Sequence, residues 1–150
     1  MAVPPGAVLF ACGLNRVRSP MAQGLMRRMF GPRVFVDSCG LRPDPQPSLD
    51  PFMVAVMDEA GVDLGRHRAK TFDELEDESF DVVISLTPEA HHRAGELARG
   101  RAVELDYWPT FDPTLTAGGR EQVMDAYRAV RDALAARIRA RFPQIPTFGG

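Results

Sequence analysis

Short apolar runs alternate with amphipathic segments along this 150-residue chain, and this alternation is the feature that most restricts its fold. Apolar runs bounded by turn residues predict strands, and the amphipathic segments between them predict helices. Strands are expected at residues 7–11, 34–37, 81–86 and 102–105. Regular alternation of strand and helix indicates a parallel sheet covered by helices on both faces, which is a three-layer α/β/α fold. The length and a hydrophobic content of 45% fit one domain spanning residues 1–150.

Capping residues and prolines mark where the helices are expected to begin. Ser19 is predicted to cap the first helix, with Pro20 in its first turn. Asp50-Pro51 and Thr87-Pro88 predict two further helices in the same way. A fourth helix is expected over residues 121–141, because apolar residues recur there at spacings of three and four.

Charge and cysteine content exclude several classes of function. A net charge of -2 provides no overall basic field, so neither nucleic-acid binding nor membrane binding is expected. Two cysteines and three scattered histidines do not suggest a metal site, so no metal and no cofactor is predicted. The sequence shows neither a long apolar segment nor a secretory signal, and we expect a cytoplasmic protein.

The first predicted strand ends at Cys12, and Arg18 follows six positions later. The five residues between them suffice to curl backbone N–H groups around a tetrahedral oxyanion, with the guanidinium binding two of its oxygens. Arg18, the Ser19 hydroxyl and the start of a helix all favour the thiolate form of Cys12. The loop therefore predicts a nucleophilic cysteine; the alternative is a small buried residue at a strand end.

Cleavage of a phosphomonoester by a cysteine also needs a proton donor for the leaving group. Asp112 is the candidate, because Pro113 favours extended backbone and the pair follows the last predicted strand. Loops that follow the carboxyl ends of parallel strands gather at one edge of the sheet. Cys12, Ser38 and Asp112 are therefore expected to meet there.

The loop resembles the phosphate-binding loop of the low-molecular-weight protein tyrosine phosphatases and of the arsenate reductases related to them. The loop residues that match position for position are Cys12, Arg18, Ser19 and Pro20. The likeness extends to residues 37–40, 66–70, 81–90 and 112–113. It implies a four-stranded parallel sheet in the order 2-1-3-4, with the phosphate-binding loop between strand 1 and helix 1.

The resemblance implies a metal-independent, two-step hydrolysis through a phosphocysteine, in which Cys12, Arg18 and Asp112 are catalytic. The residues implied to hold the phosphate are Gly13, Leu14, Asn15, Arg16, Val17, Arg18 and Ser19. The residues implied to form a supporting hydrogen-bond network are Asn15, Ser19, Ser38 and His67, although His67 could equally be an ordinary core or surface histidine. The implied partners are a phosphorylated protein or a small phosphomonoester, with phosphate, sulfate or arsenate bound in the loop.

The loop also departs from the family pattern. Leu14 stands where the family usually has a glycine, and a leucine there would be strained if that position needs a positive φ. Val17 replaces the family's second cysteine, which removes the usual disulfide partner of Cys12. Cys39 could take its place only if it lies close, and a structural role is the alternative.

Features beside the loop bear on the substrate. Thr114 and Leu115 stand where phosphotyrosine-specific members carry an aromatic wall. Arg16 is unusual inside the loop and suggests an acidic or multiply phosphorylated substrate. Rings that could approach from another direction, or simply pack in the core, are Phe52, Trp108 and Phe111.

Two other functions stay open at this point. Arsenate reduction is one, because the same loop would hold arsenate, but residues 82–88 contain no cysteine and only a route with an external thiol is available. The other is a non-catalytic module that binds phosphate or a phosphoprotein. Retention of both Cys12 and Asp112 argues against this module, because binding alone needs neither a nucleophile nor an acid.

Overall fold

The computed structural model describes residues 4–46 and 48–143, and within them the chain forms four strands, four α-helices and three short 3-10 helices. The strands are β1 (Ala7–Cys12), β2 (Phe35–Gly40), β3 (Val82–Ser85) and β4 (Glu104–Tyr107). The helices are α1 (Arg18–Phe30), α2 (Pro51–Glu59), α3 (Pro88–Ala98) and α4 (Arg120–Arg141). All strand pairs are parallel and the order is β2-β1-β3-β4, so the predicted α/β fold and strand order are confirmed.

Strand β1 lies between β2 and β3 and is buried on both faces, which explains its continuous apolar run. Val8, Phe10 and Cys12 pack into a large core beneath α1, α2 and α4. Leu9 and Ala11 point to the opposite face and join a smaller core beneath α3. The sheet is therefore covered by helices on both faces.

Two of the three predicted helix caps are confirmed. Asp50 accepts hydrogen bonds from the backbone N–H groups of Phe52 and Met53 at the start of α2, and Thr87 accepts one from Ala90 at the start of α3. The cap predicted at Ser19 is wrong: α1 already begins at Arg18, and no side chain caps it. The Ser19 hydroxyl is buried and instead forms hydrogen bonds with Cys12, at the end of β1, and with Asn15 in the loop.

A buried hydrogen bond connects α2 with α4. The second carboxylate oxygen of Asp50 accepts it from the hydroxyl of Tyr127, at 2.8 Å. Burial raises the pKa of Tyr127, and the Asp50 carboxylate raises it further, so the hydroxyl keeps its proton. This contact fixes α2 against α4 at the end of the segment that follows β2.

The boundaries of β4 differ from the prediction, which placed this strand at residues 102–105. The strand runs from Glu104 to Tyr107 and lies at the sheet edge, where its side chains are largely exposed. An exposed edge strand lacks the apolar pattern that locates a buried one.

Within the described part of the chain, no helix combines the length and apolar character needed to cross a membrane.

Candidate active site

The predicted anion-binding loop connects β1 to α1 at the carboxyl edge of the sheet. Cys12 is the last residue of β1 and is almost completely buried. Within the described residues, none of the backbone N–H groups of residues 13–18 donates a hydrogen bond to a protein acceptor. Unpaired N–H groups at the start of a helix attract an anion, since the helix dipole adds to their own partial charges.

Asn15 is the residue that holds the loop in shape. It is buried, and its side-chain Nδ2 donates to the hydroxyl oxygens of Ser19 and Ser38, both at 2.9 Å. Its Oδ1 accepts a hydrogen bond from the backbone N–H of Lys70 at 3.1 Å. All the hydrogen-bonding capacity of this amide nitrogen is thus used to join the loop to neighbouring segments.

The strain predicted at Leu14 is absent. Asn15, with a φ of 58°, is the non-glycine residue with positive φ in the described part of the chain. Asparagine tolerates this left-handed conformation better than a leucine does. The sequence prediction placed the sharp bend one residue too early.

Gly40, at the end of β2, allows the loop to approach the sheet. A Cβ atom at this position would lie 2.7 Å from the backbone nitrogen of Asn15 and from the carbonyl carbon of Leu14. Such a contact is too close for any side chain, so only glycine fits there. Sequence reasoning did not single out Gly40, because its requirement arises from a contact between distant segments.

The Ser19 hydroxyl is directed at the candidate nucleophile. Its oxygen lies 2.9 Å from the Cys12 sulfur and 3.4 Å from the carbonyl oxygen of Cys39. Because Asn15 already donates a hydrogen bond to this oxygen, the hydroxyl proton is available for the sulfur. A hydroxyl that donates to sulfur stabilises the thiolate.

Ser38 and His67 complete the predicted network. The Ser38 hydroxyl is hydrogen-bonded to the amide of Gln23, a buried residue of α1 that the sequence analysis did not identify. His67 Nε2 lies 2.8 Å from the carbonyl oxygen of Asn15, and since a carbonyl only accepts, Nε2 carries the proton. Burial lowers the pKa of His67, although the hydrogen bond to Asn15 opposes this effect, so the ring is neutral near pH 7.

Arg18 reaches from the first turn of α1 to the segment after β4. Its Nη1 donates to the carbonyl oxygen of Thr110 at 3.0 Å, and its Nη2 lies 3.8 Å from Oδ2 of Asp112. The other carboxylate oxygen of Asp112, Oδ1, accepts hydrogen bonds from the backbone N–H and the hydroxyl of Thr114. The thiol, the guanidinium and the carboxyl group are therefore grouped at one edge of the sheet.

Comparison with known proteins gives this arrangement a context. The family model for low molecular weight phosphotyrosine protein phosphatase matches residues 7–145. The chain belongs to this family.

Relatives in this phosphatase family carry two kinds of name. The "Glutaredoxin arsenate reductase" of Synechocystis sp. is 28% identical over 131 residues, covering 87% of this chain and 92% of its own length. The "Probable low molecular weight protein-tyrosine-phosphatase EpsP" of Ralstonia nicotianae is 30% identical over 142 residues, covering 89% and 96%. A solved structure described as an arsenate reductase in the phosphate binding state is 26% identical, with a TM-score of 0.76 over 94% of this chain and 99% of its own.

Cys39 is badly placed to replace the family's second cysteine. In the sheet register Cys39 stands beside Ala11, and both belong to the core beneath α3, whereas Cys12 belongs to the core on the other face. Burial raises the pKa of the Cys39 thiol, and the nearby Cys12 raises it further. Cys39 is thus a small buried residue of the sheet in this member of the phosphatase family.

Arg16 is already paired within the protein. Its Nη1 lies 3.3 Å from Oδ2 of Asp44 and donates to the carbonyl oxygen of Ser48 at 2.6 Å. The charge of Arg16 is therefore largely satisfied by the segment that follows β2. The sequence suggested that Arg16 attracts acidic substrates, but in the structure this side chain is already paired with Asp44.

Of the three rings considered for the substrate wall, only Phe111 is largely exposed. Trp108 is buried against Phe10, and Phe52 packs against Tyr127. Phe111 is 59% exposed next to Asp112, and Leu115, three residues later, is 74% exposed. These two large apolar side chains stand on either side of Asp112 along the chain.

No group of three or more histidine, cysteine, aspartate or glutamate residues is arranged to hold a metal ion within residues 4–46 and 48–143. The groups gathered at the site are thus a thiol, a cation, a carboxyl group and a loop of backbone donors.

Proposed function

We propose that this protein is a phosphomonoester hydrolase of the protein tyrosine phosphatase type, acting without a metal through a phosphocysteine. The observation that carries the proposal is the loop from Gly13 to Arg18, which follows Cys12 and whose N–H groups donate to no acceptor among the described residues. Such a loop stabilises the charge on the transferred phosphoryl oxygens throughout the reaction. Asp112 supplies a proton donor, which catalysis needs and a binding module does not.

In the first step, the Cys12 thiolate attacks phosphorus and forms the S–P bond, while the bond from phosphorus to the ester oxygen breaks. The leaving oxygen takes a proton from the acid form of Asp112. The proton belongs on Oδ2, because Oδ1 accepts two hydrogen bonds from Thr114. The Arg18 guanidinium and the loop N–H groups hold the remaining phosphoryl oxygens.

In the second step, the Asp112 carboxylate removes a proton from water, whose oxygen attacks phosphorus. The S–P bond breaks, inorganic phosphate is released, and Cys12 returns to the thiolate form, which accepts a hydrogen bond from the Ser19 hydroxyl. Asp112 is again in its acid form. Both steps use the same carboxyl group, first as an acid and then as a base.

Phe111 and Leu115 support an apolar leaving group such as a tyrosine side chain. Both are exposed, and both lie within three residues of the proton donor Asp112 in the chain, so they are the large apolar side chains available to the organic part of the substrate. Burial of apolar surface against them would favour an aryl ester over a small polar one. Thr114 and Leu115 are not aromatic, so the apolar surface of Phe111 and Leu115 would take the place of the family's aromatic wall.

Arsenate reduction with an external thiol is the second candidate, favoured by the names of several relatives. Reduction of arsenate to arsenite takes two electrons, which Cys12 and one external thiol would supply by forming a mixed disulfide. A second external thiol would then regenerate Cys12. A disulfide within the chain is disfavoured, because Val17 replaces one cysteine and Cys39 lies on the other face of the sheet.

The two candidates are separated by assaying the purified protein for aryl phosphate hydrolysis with a chelator present, and for arsenate reduction with glutathione. We expect hydrolysis to dominate and a phosphorylated Cys12 to appear by mass spectrometry after rapid acid quench. The Cys12→Ser variant should lose turnover but still bind phosphate, and Cys39→Ser is the matched control that should keep turnover. Reduction without hydrolysis would favour the reductase; neither activity would reject both.

A further inference from the structure

A cavity of about 870 Å³, called the groove below, is lined in part by residues of the phosphate loop. Asn15 and Arg16 form its wall on the loop side, and residues 65–70 form a second wall. Cys12, Arg18 and Asp112 do not line it. The cavity is therefore a neighbour of the phosphate site and large enough to hold several side chains of a bound peptide.

The groove has an excess of unpaired positive charge. Its acidic residues are already engaged: Asp44 pairs with Arg16, and the Glu74 carboxylate accepts hydrogen bonds from the backbone N–H and the hydroxyl of Thr71. Its cation Lys70 pairs with Asp37 at 2.5 Å. Two cations, Arg66 and Arg68, are exposed and form no ion pair with any residue of the described chain.

The wall that carries these arginines is fixed to the phosphate loop at two points. The ring of His67 donates to the carbonyl oxygen of Asn15, and the backbone N–H of Lys70 donates to Asn15 Oδ1. Arg66 and Arg68 stand on either side of His67 in the chain. The segment that carries the two arginines is therefore joined to Asn15 by two hydrogen bonds.

We propose that this groove binds acidic residues next to the phosphorylated side chain of a protein substrate. The inference rests on the proposed function, because the phosphoryl group would occupy the loop while the neighbouring residues reach the groove. Aspartate and glutamate carboxylates match the planar guanidinium groups of Arg66 and Arg68, which can each donate two hydrogen bonds to one carboxylate. Arg66 and Arg68 thus take the role that the sequence suggested for Arg16.

The test measures binding of phosphotyrosine peptides to the Cys12→Ser protein, which removes turnover from the comparison. One peptide carries glutamates on both sides of the phosphotyrosine, and the other carries glutamines at the same positions. We expect the acidic peptide to bind more tightly and its advantage to decrease as salt increases. Arg66→Gln with Arg68→Gln should reduce the ratio of the two affinities by about 3- to 10-fold, as for two partly exposed ion pairs.

The matched control is Arg99→Gln with Arg139→Gln. Both residues are exposed near the carboxyl ends of α3 and α4, at the opposite edge of the sheet, and the pair removes the same charge. This control should leave the affinity ratio as it is. Equal affinities of the two peptides for the Cys12→Ser protein would contradict peptide binding in the groove, and so would equal effects of the two double variants. Neither result would contradict the proposed function. No binding of either peptide would contradict both proposals.

Discussion

Oδ2 of Asp112 lies 3.8 Å from Nη2 of Arg18, although Arg18 begins α1 and Asp112 follows the edge strand β4. The contact is supported by the hydrogen bond from Arg18 to the carbonyl oxygen of Thr110, whose N–H in turn bonds to Leu86 after β3. The candidate proton donor is thus held against the candidate phosphate ligand. The reaction proposed above depends on this relationship.

Asp112→Asn tests the proton donor. We expect hydrolysis of alkyl and simple aryl phosphates to slow by roughly 10²–10⁴, because the leaving oxygen loses its acid. The loss should shrink for a leaving group that is stable without a proton, so kcat is measured across aryl phosphates of graded leaving-group pKa. Thr114→Ala is the control, since it removes one hydrogen bond to Oδ1 and keeps the carboxyl group. A uniform loss across all leaving groups would contradict the role of Asp112.

Asn15 should determine both the stability and the activity of the loop. Asn15→Ala removes three hydrogen bonds and places alanine at a φ of 58°. Asn15→Gly removes the same bonds but tolerates that φ, so it should be more stable than the alanine variant by about 1–2 kcal/mol. Urea unfolding measures the difference in the free energy of unfolding.

Both Asn15 variants should lose aryl phosphate hydrolysis, because neither holds the hydroxyl group of Ser19. Equal free energies of unfolding for the two variants would show that the left-handed backbone at residue 15 is not what distinguishes them.

Phe111 and Leu115 should select the organic part of the substrate. Replacing Phe111 by serine removes an exposed apolar side chain beside Asp112, so KM for aryl phosphates should rise about 3- to 30-fold while kcat changes less. Phe35→Ser is the comparison, because Phe35 is similarly exposed at the other edge of the sheet, where it stacks on Phe80. A KM that is insensitive to Phe111 would remove this side chain from the substrate wall.

The loss of stability on acidification should depend in part on Glu59, at the end of α2, which pairs with Arg128 and Arg131 of α4. Hydrogen bonds from Arg128, and then from Arg131, lower the pKa of Glu59 from 4.5 to about 2. A carboxyl group whose pKa is lower in the folded state stabilises the protein above the unfolded pKa, and this contribution disappears as the pH falls toward the folded pKa.

Glu59→Gln should therefore lower Tm at neutral pH and weaken the decrease in Tm between pH 4.5 and 2. The control is Glu76→Gln, at an exposed glutamate without an ion pair among the described residues. Calorimetry across this pH range decides the matter: parallel Tm curves for the parent protein and Glu59→Gln would contradict the assignment.

Much of the fold follows from local sequence. The buried run of β1 and the caps at Asp50 and Thr87 could be predicted because neighbouring residues determine burial pattern and capping. The predicted position of the edge strand β4 is too early in the chain, because the exposed residues of this strand carry little of the burial pattern. The roles of Cys12 and Asp112 in the reaction stay predictions, although their positions at one edge follow from the parallel order of the strands.

The sequence by itself determined the strand–loop–helix unit around Cys12, the spacing to Arg18 and the alternation that leads to a parallel sheet. Only the tertiary structure decided that Ser19 turns to the sulfur rather than capping α1, and that Asn15 takes the left-handed conformation. The same holds for the face of the sheet on which Cys39 lies and for the pairing of Arg16 with Asp44. The physical reason is that backbone preference and burial periodicity depend on adjacent residues, whereas the hydrogen-bond partners of a buried polar group are chosen among segments that only folding brings together.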